Sequence, residues 1–293
     1  MGSFWEDGNN LMRIVTFEKP GGGAEAGILA HDQVFPLGAE GYGSVMEFIA
    51  SGEAGVAKAA KLLEGNAERY PAGSVKLLAP IPRPPKIICV GLNYRDHAME
   101  SNMEIPKVPT IFCKFPTSVI GPGEAIVLPK NSEKPDYEAE FAVVIGKEGR
   151  HIAAEKWREH VFGYTNLNDV SARDFQMATT QWIMGKTFDT FCPMGPAIVT
   201  ADEIADPHKL DIKITINGEV LQSSNTEHLI FRIPDLIAHL SSVFTLEAGD
   251  IISTGTPAGV GFARKPPRWL RAGDDVVVEV AGLGALRNPV VAE

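Results

Sequence analysis

Short apolar runs rich in Val, Ile and Phe recur along the chain, many of them closed by Gly, Pro or Asn, while stretches with helical spacing are few. That pattern predicts many strands and little helix. Met12–Phe17, Ala26–Ala30 and Gln33–Leu37 read as three strands, with Gly21-Gly22-Gly23 turning the chain between the first two. Val45–Ala50 and Ala54–Leu63 read as short helices, the second rich in good helix formers. The prolines of Leu78-Ala79-Pro80-Ile81-Pro82-Arg83-Pro84-Pro85 favour extended backbone and exclude helix. The expected organisation is a small N-terminal α/β domain, residues 1–79, followed by a larger domain, residues 80–293.

Beyond that link, Lys86–Gly91, Thr110–Phe115 and Val161–Leu167 predict strands, and Leu92–Glu100 a loop or short helix. Asn217-Gly218, between Lys209–Ile216 and Glu219–Ser223, is the strongest short hairpin signal. Ile233–Val243 is apolar at helical spacing, with Pro234 in a first turn, where proline is tolerated. Leu246-Glu247-Ala248-Gly249-Asp250 and Leu270-Arg271-Ala272-Gly273-Asp274 repeat one turn chemistry before two apolar runs. The fold class expected from these elements is α+β and β-rich, a barrel or roll.

The segment Pro135–Gly146 couples pattern to chemistry. Read as one strand, it puts Asp136, Glu138 and Glu140 on the same face, while Phe141–Ile145 enters a core. Carboxylates crowded at such an edge lose solvation and repel, so one protonates or a cation joins them. Mg²⁺ suits that role, because it accepts one or two carboxylates, a substrate and waters. A lone Glu-x-Glu is more often a solvated polar face. His97 and Glu100 are three apart and would touch on one helical turn, so Glu100 can raise the basicity of the imidazole. Thr254, Gly255 and Thr256 lie in a Gly-rich turn whose backbone N–H groups can cradle a carboxylate. Arg95 and Lys114 are candidate countercharges for an anionic substrate. Cys192 has no base paired with it in sequence and reads as a buried structural thiol.

A net charge of −10 and a pI of about 5.3 argue against a nucleic-acid phosphate binder. A mean hydropathy of −0.01 and the absence of a long apolar run argue against a membrane span. Cys89, Cys113 and Cys192 are odd in number and far apart, suggesting neither a disulfide framework nor a zinc site. The first residues lack the basic and apolar regions of a signal peptide, and Glu6 breaks the myristoylation pattern. A cytoplasmic protein is the resulting expectation. Residues 1–11 are mostly polar and unpatterned, which makes Met12 a candidate ancestral start.

Five blocks then occur in order: Val90-Gly91-Leu92-Asn93-Tyr94-Arg95-Asp96-His97; Asp136-Tyr137-Glu138-Ala139-Glu140; Asn168-Asp169-Val170-Ser171-Ala172-Arg173-Asp174; Gly185-Lys186-Thr187-Phe188-Asp189; and Ser253-Thr254-Gly255-Thr256-Pro257. From about Pro84 to Val291 the chain resembles the fumarylacetoacetate hydrolase superfamily, in its bacterial acylpyruvate hydrolase and 2,4-diketo-3-deoxy-acid hydrolase branch. The resemblance implies rolled mixed β-sheets that pair into a homodimer. It implies Glu138, Glu140 and Asp169 as ligands of Mg²⁺ or Mn²⁺, with Lys186 beside the metal and Asp136 behind the ligands. It gives His97 and Glu100 a catalytic role on a lid, and Gln176 a contact with substrate. The founding enzyme has a fourth carboxylate on the strand before its histidine, whereas Ile88-Cys89-Val90 offers none here. Some relatives carry an arginine where Met184 stands; with Trp182, Met184 reads as packing.

These expectations converge on a metal-dependent hydrolase that cleaves a 2,4-diketo acid to pyruvate and a carboxylic acid. Oxaloacetate decarboxylation and isomerisation of a 2-oxo diacid use the same enolate and stand as alternatives. A non-catalytic, metal-stabilised binding protein is a further one. The expected partners are a small 2-oxo acid and a second copy of the chain, with neither nucleic acid nor membrane.

Overall fold

The computed structural model describes residues 12–19, 21–65 and 67–293; the segment 1–11, including the polar stretch before Met12, lies outside the described residues. Two sheets organise the chain. The longer follows Tyr70–Pro71, Gln33–Pro36, Ala24–Ala30, Arg13–Glu18, Cys192–Thr200, Val161–Asn168, Ala139–Ile145, Ile251–Ser253, Ile87–Gly91 and Thr110–Lys114, with Lys76–Leu78 and Val119–Ile120 pairing beside this path. The second has five strands in the order Glu219–Asn225, Asp211–Ile216, Asp275–Val280, Ala285–Ala292 and Ile126–Leu128. Both mix parallel and antiparallel pairs. Neither closes into a barrel, so the open roll is what forms.

The strand Ala139–Ile145 is buried throughout and serves two cores. Ala139, Phe141, Val143 and Ile145 face the larger core, with Ile212, Ile214, Val276 and Val278 of the second sheet and Leu236, Ile237 and Leu240 of the helix Ile233–Val243. Ala142 and Val144 face the other, with Phe48 and Ile49 of the helix Val45–Ala50. Period-two alternation sends successive side chains to opposite faces. Each large apolar side chain so buried contributes about 1.5–3 kcal/mol. The N-terminal strands continue the long sheet directly, because Arg13 pairs with Val199 and Ile14 with Ile198.

Local sequence explains the turns. Asn217 (φ 53°) and Gly218 (φ 83°) make the hairpin between Asp211–Ile216 and Glu219–Asn225. In the two Leu-x-Ala-Gly-Asp turns, Asp250 accepts from the Glu247 amide and Asp274 from the Arg271 amide, each at 2.8 Å. No helix of the described residues is long and apolar enough to cross a membrane.

Candidate active site

The acidic segment departs from the single strand expected of it. Pro135–Asp136 and Ala139–Ile145 are separate strands, and the chain between them leaves the ladder. Their partners, Ser171–Ala172 and Val161–Asn168, separate in the same place. Asp136 pairs with Ser171 and Ala139 with Asn168, so the register is unchanged across the gap and Glu138 stands opposite Asp169. The Asp169 amide still donates to the Glu138 carbonyl, at 2.9 Å. Like charges directly opposite across a strand pair destabilise it, so this pair requires a cation.

Glu140 joins from the next turn of the pleat. Ligand oxygens of Glu138, Glu140 and Asp169 all lie within 4.8 Å of one another, and all three residues are buried. Lys186 Nζ donates to Glu138 Oε2 at 2.8 Å and Asp169 Oδ2 at 2.7 Å. Lys114 Nζ donates to the other Asp169 oxygen at 2.6 Å, and Arg173 Nη2 lies 2.6 Å from Glu138 Oε1. Among the described residues Glu140 meets no cation at bonding distance; Oε2 accepts from the Ser253 hydroxyl and the Gly255 amide. Burial raises the Glu138 carboxyl, but Lys186 and Arg173 overcome it and hold the group at about 2. For Glu140, burial and then Asp169 and Glu138 push the carboxyl well above the usual range. Three converging carboxylates with one left uncompensated are the donor set a hard divalent ion fits.

Glycine brings Lys186 to this place. A Cβ on Gly185 would lie 2.4 Å from the Gln176 amide nitrogen and 2.6 Å from the Ala172 carbonyl oxygen, so only glycine lets Ile183–Lys186 cross Arg173–Gln176 so closely. Asp136 lies outside the group of three converging carboxylates. It accepts from Arg173 Nε at 2.8 Å, the Gly261 amide at 2.7 Å and the Phe262 amide at 3.0 Å. Arg173 Nη1 donates to Gln176 Oε1 at 2.8 Å.

A cavity of about 750 Å³ opens over these groups, lined among others by His97, Glu138, Glu140, Gln176, Lys186 and Thr256. His97 is buried on the helix Arg95–Glu100, with Nδ1 3.5 Å from Glu100 Oε2 and no formed hydrogen bond on that nitrogen. Both Glu100 oxygens accept from the Gly259 amide, at 2.9 and 3.1 Å. Burial raises the Glu100 carboxyl, but His97 and this amide together hold it below its usual value.

Other expected contacts fall elsewhere. Arg95 does not line the cavity; Nη1 donates to the Leu229 carbonyl at 3.0 Å. The Gly255 amide is spent on Glu140, and Thr254 Oγ1 donates to the Phe141 carbonyl at 2.7 Å. Of that turn, Thr256 alone lines the cavity, holding Gln222 Nε2 at 2.8 Å. Lys114 is buried against Asp169 rather than offered to substrate. Cys192 is buried, and burial pushes its thiol up to about 12. Trp182 lines the cavity, whereas Met184 is exposed. The sequence reading missed Arg173, although it lies in a recognised block, because nothing in its spacing marks it as buried between two acids.

A model of the fumarylacetoacetate hydrolase C-terminal region matches residues 86–291. The chain belongs to the fumarylacetoacetate hydrolase family. It is 47% identical over 293 residues to the mitochondrial oxaloacetate tautomerase of Rattus norvegicus, covering 96% of this chain and 92% of that one. Among solved structures it resembles the fumarylacetoacetate hydrolase of psychrophilic Exiguobacterium antarcticum, at 37% identity and TM-score 0.85, over 96% of this chain and 100% of that one. It also resembles the maleylpyruvate hydrolase of Sphingobium sp. SYK-6 in complex with manganese(II) and pyruvate, at 32% identity and TM-score 0.82, over 96% and 99%. These likenesses support metal-dependent chemistry of this family. They also overturn the cytoplasmic expectation: the matching oxaloacetate tautomerases of Rattus norvegicus, Homo sapiens and Bos taurus are mitochondrial by name.

Proposed function

We propose that this protein interconverts the keto and enol forms of a 2-oxo diacid, with oxaloacetate as the leading substrate. The observation that carries this reading is 47% identity to an oxaloacetate tautomerase over 96% of a chain in which Glu138, Glu140, Lys186 and His97 line one cavity, with Asp169 buried beside the two glutamates. Glu138, Glu140 and Asp169 would hold a divalent ion, Mg²⁺ or Mn²⁺, which would supply a Lewis acid for enolisation of the 2-oxo acid. Lys186 keeps a buried ammonium where negative charge develops as the C3–H bond breaks. His97 takes that proton, and Glu100 beside Nδ1 stabilises the imidazolium. A proton returns to the keto oxygen, so one C–H bond is exchanged for one O–H bond and no co-reactant is needed.

Hydrolysis of a 2,4-diketo acid is the second reading, favoured by the likeness to maleylpyruvate hydrolase. There the same His97–Glu100 pair would activate water. Separate assays of enol-oxaloacetate, maleylpyruvate and a short acylpyruvate, each with Mn²⁺, distinguish the two. Enol decay should exceed C–C cleavage by about a hundredfold or more, a barrier difference of roughly 3 kcal/mol. Faster pyruvate release from a diketo acid would make the protein a hydrolase, and no turnover of any 2-oxo acid would leave a binding protein.

We also propose a homodimer. Ile105, Val108, Ile111 and Phe115 are exposed on and beside Thr110–Lys114, the strand that ends the long sheet. An apolar sheet edge of this kind invites pairing. Sedimentation should give twice the 31.6 kDa chain mass; a monomer at micromolar concentration would refute the pairing.

A further inference from the structure

Phe262 stands out among the cavity residues because it is a large ring, 39% exposed, outside every block that carries the family resemblance. Its ring meets His97 edge to face, with centroids 6.4 Å apart. The Arg173 guanidinium lies over the same ring, 4.7 Å from its centroid. The ring thus contacts both the imidazole and the cation that holds Glu138 and Gln176. Its mount is equally specific. The Phe262 and Gly261 amides donate to Asp136, the same carboxylate that holds Arg173 Nε. Two residues earlier, the Gly259 amide holds Glu100. A Cβ on Gly261 would come within 2.0 Å of the Arg268 carbonyl oxygen and 2.4 Å of Asp136 Oδ1, so the turn can approach Asp136 only as glycine.

We infer that Phe262 is a positioning residue that fixes His97 relative to Arg173 and the acidic centre. The ring acts through its geometry: the electron-rich face receives the guanidinium, and the two rings meet edge to face, a preferred aromatic arrangement. A misplacement of about 1 Å at a catalytic group can cost on the order of a hundredfold in rate. An aliphatic side chain of similar bulk fills the space without orienting either neighbour.

Three variants test this, Phe262→Ala, Phe262→Leu and Phe262→Tyr. The kinetic arm rests on the tautomerase reading. Phe262→Ala and Phe262→Leu should each lose about ten- to a hundredfold in kcat with KM within about threefold, and Phe262→Tyr should recover most of the loss. The second arm needs no turnover: the vicinal couplings of the His97 side-chain resonances should average over more than one χ1 torsion in the Ala and Leu variants and report a single torsion again in Phe262→Tyr, a change that loss of the ring current alone does not cause. Should the Ala variant fail to fold, the Leu and Tyr variants carry the comparison. Full activity in Phe262→Leu, a loss confined to KM, or His97 couplings indifferent to the substitution would each overturn the inference. If the protein turns over no oxaloacetate, the couplings still decide it, so failure of the tautomerase reading remains distinguishable.

Discussion

Lys186 is 2% exposed, and its ammonium bonds two carboxylates, so removing it strands Glu138 and Asp169 in the interior. Lys186→Met should lower kcat by about 10²–10³-fold, the usual effect of losing a preorganised charge where the transition state develops one. Lys186→Arg should not restore the rate, because a planar fork cannot replace a compact ammonium here. Asp136 is a different case, a buried anion whose partners are Arg173 and the backbone amides of Tyr137, Gly261 and Phe262. Asp136→Ala should destabilise the fold by about 3 kcal/mol, read from urea unfolding, because it removes one of the two carboxylates that hold the buried Arg173 guanidinium and strands three backbone amides. Not all of this chemistry was equally legible. Glu138 and Glu140 announce themselves by two-residue spacing. Asp169 is distant in sequence and joins them only through cross-strand register, so motif resemblance alone could supply it. Phe262 carries no sequence signal, since its contacts depend on the fold of a turn.

Among the elements, the short helix Ile183–Lys186 depends on one missing side chain. Gly185→Ala should push it away from Arg173–Gln176 and cut activity strongly while circular dichroism stays native. The helix Ile233–Val243 has a titratable neighbour: His208 Nε2 accepts from the Ile233 amide at 3.3 Å. Burial, and then Arg232, hold this imidazole below its ordinary value. The unfolded chain therefore binds the proton first as pH falls below about 6.5, and stability should decline there. Thermal unfolding of wild type and His208→Gln between pH 7.5 and 5.5 should show the shallower slope in the variant; equal slopes would exclude His208. Helices and hairpins were legible wherever periodicity and turn residues agreed, as at Asn217-Gly218. The acidic strand was misread as continuous because alternation continues through Tyr137 and Glu138 while the ladder does not. Two-residue spacing specifies a face only where pairing is maintained.

At the scale of the molecule, an acidic chain concentrates an opposing balance at one point. Asp136, Glu138, Glu140 and Asp169 face Lys114, Lys186 and Arg173 there, a formal sum of −1 that a bound divalent ion would turn to +1. Saturating Mn²⁺ at about a hundred times Kd should stabilise the protein by roughly 2.7 kcal/mol, or about 5 °C in Tm, reversed by chelator. The most direct test is to titrate chelator-treated protein with Mn²⁺ while following the decay of enol-oxaloacetate. The rate should rise from near background and saturate at one ion per chain, and Glu140→Gln should need far more Mn²⁺ to reach it. Undiminished tautomerisation by the metal-free protein would contradict the account.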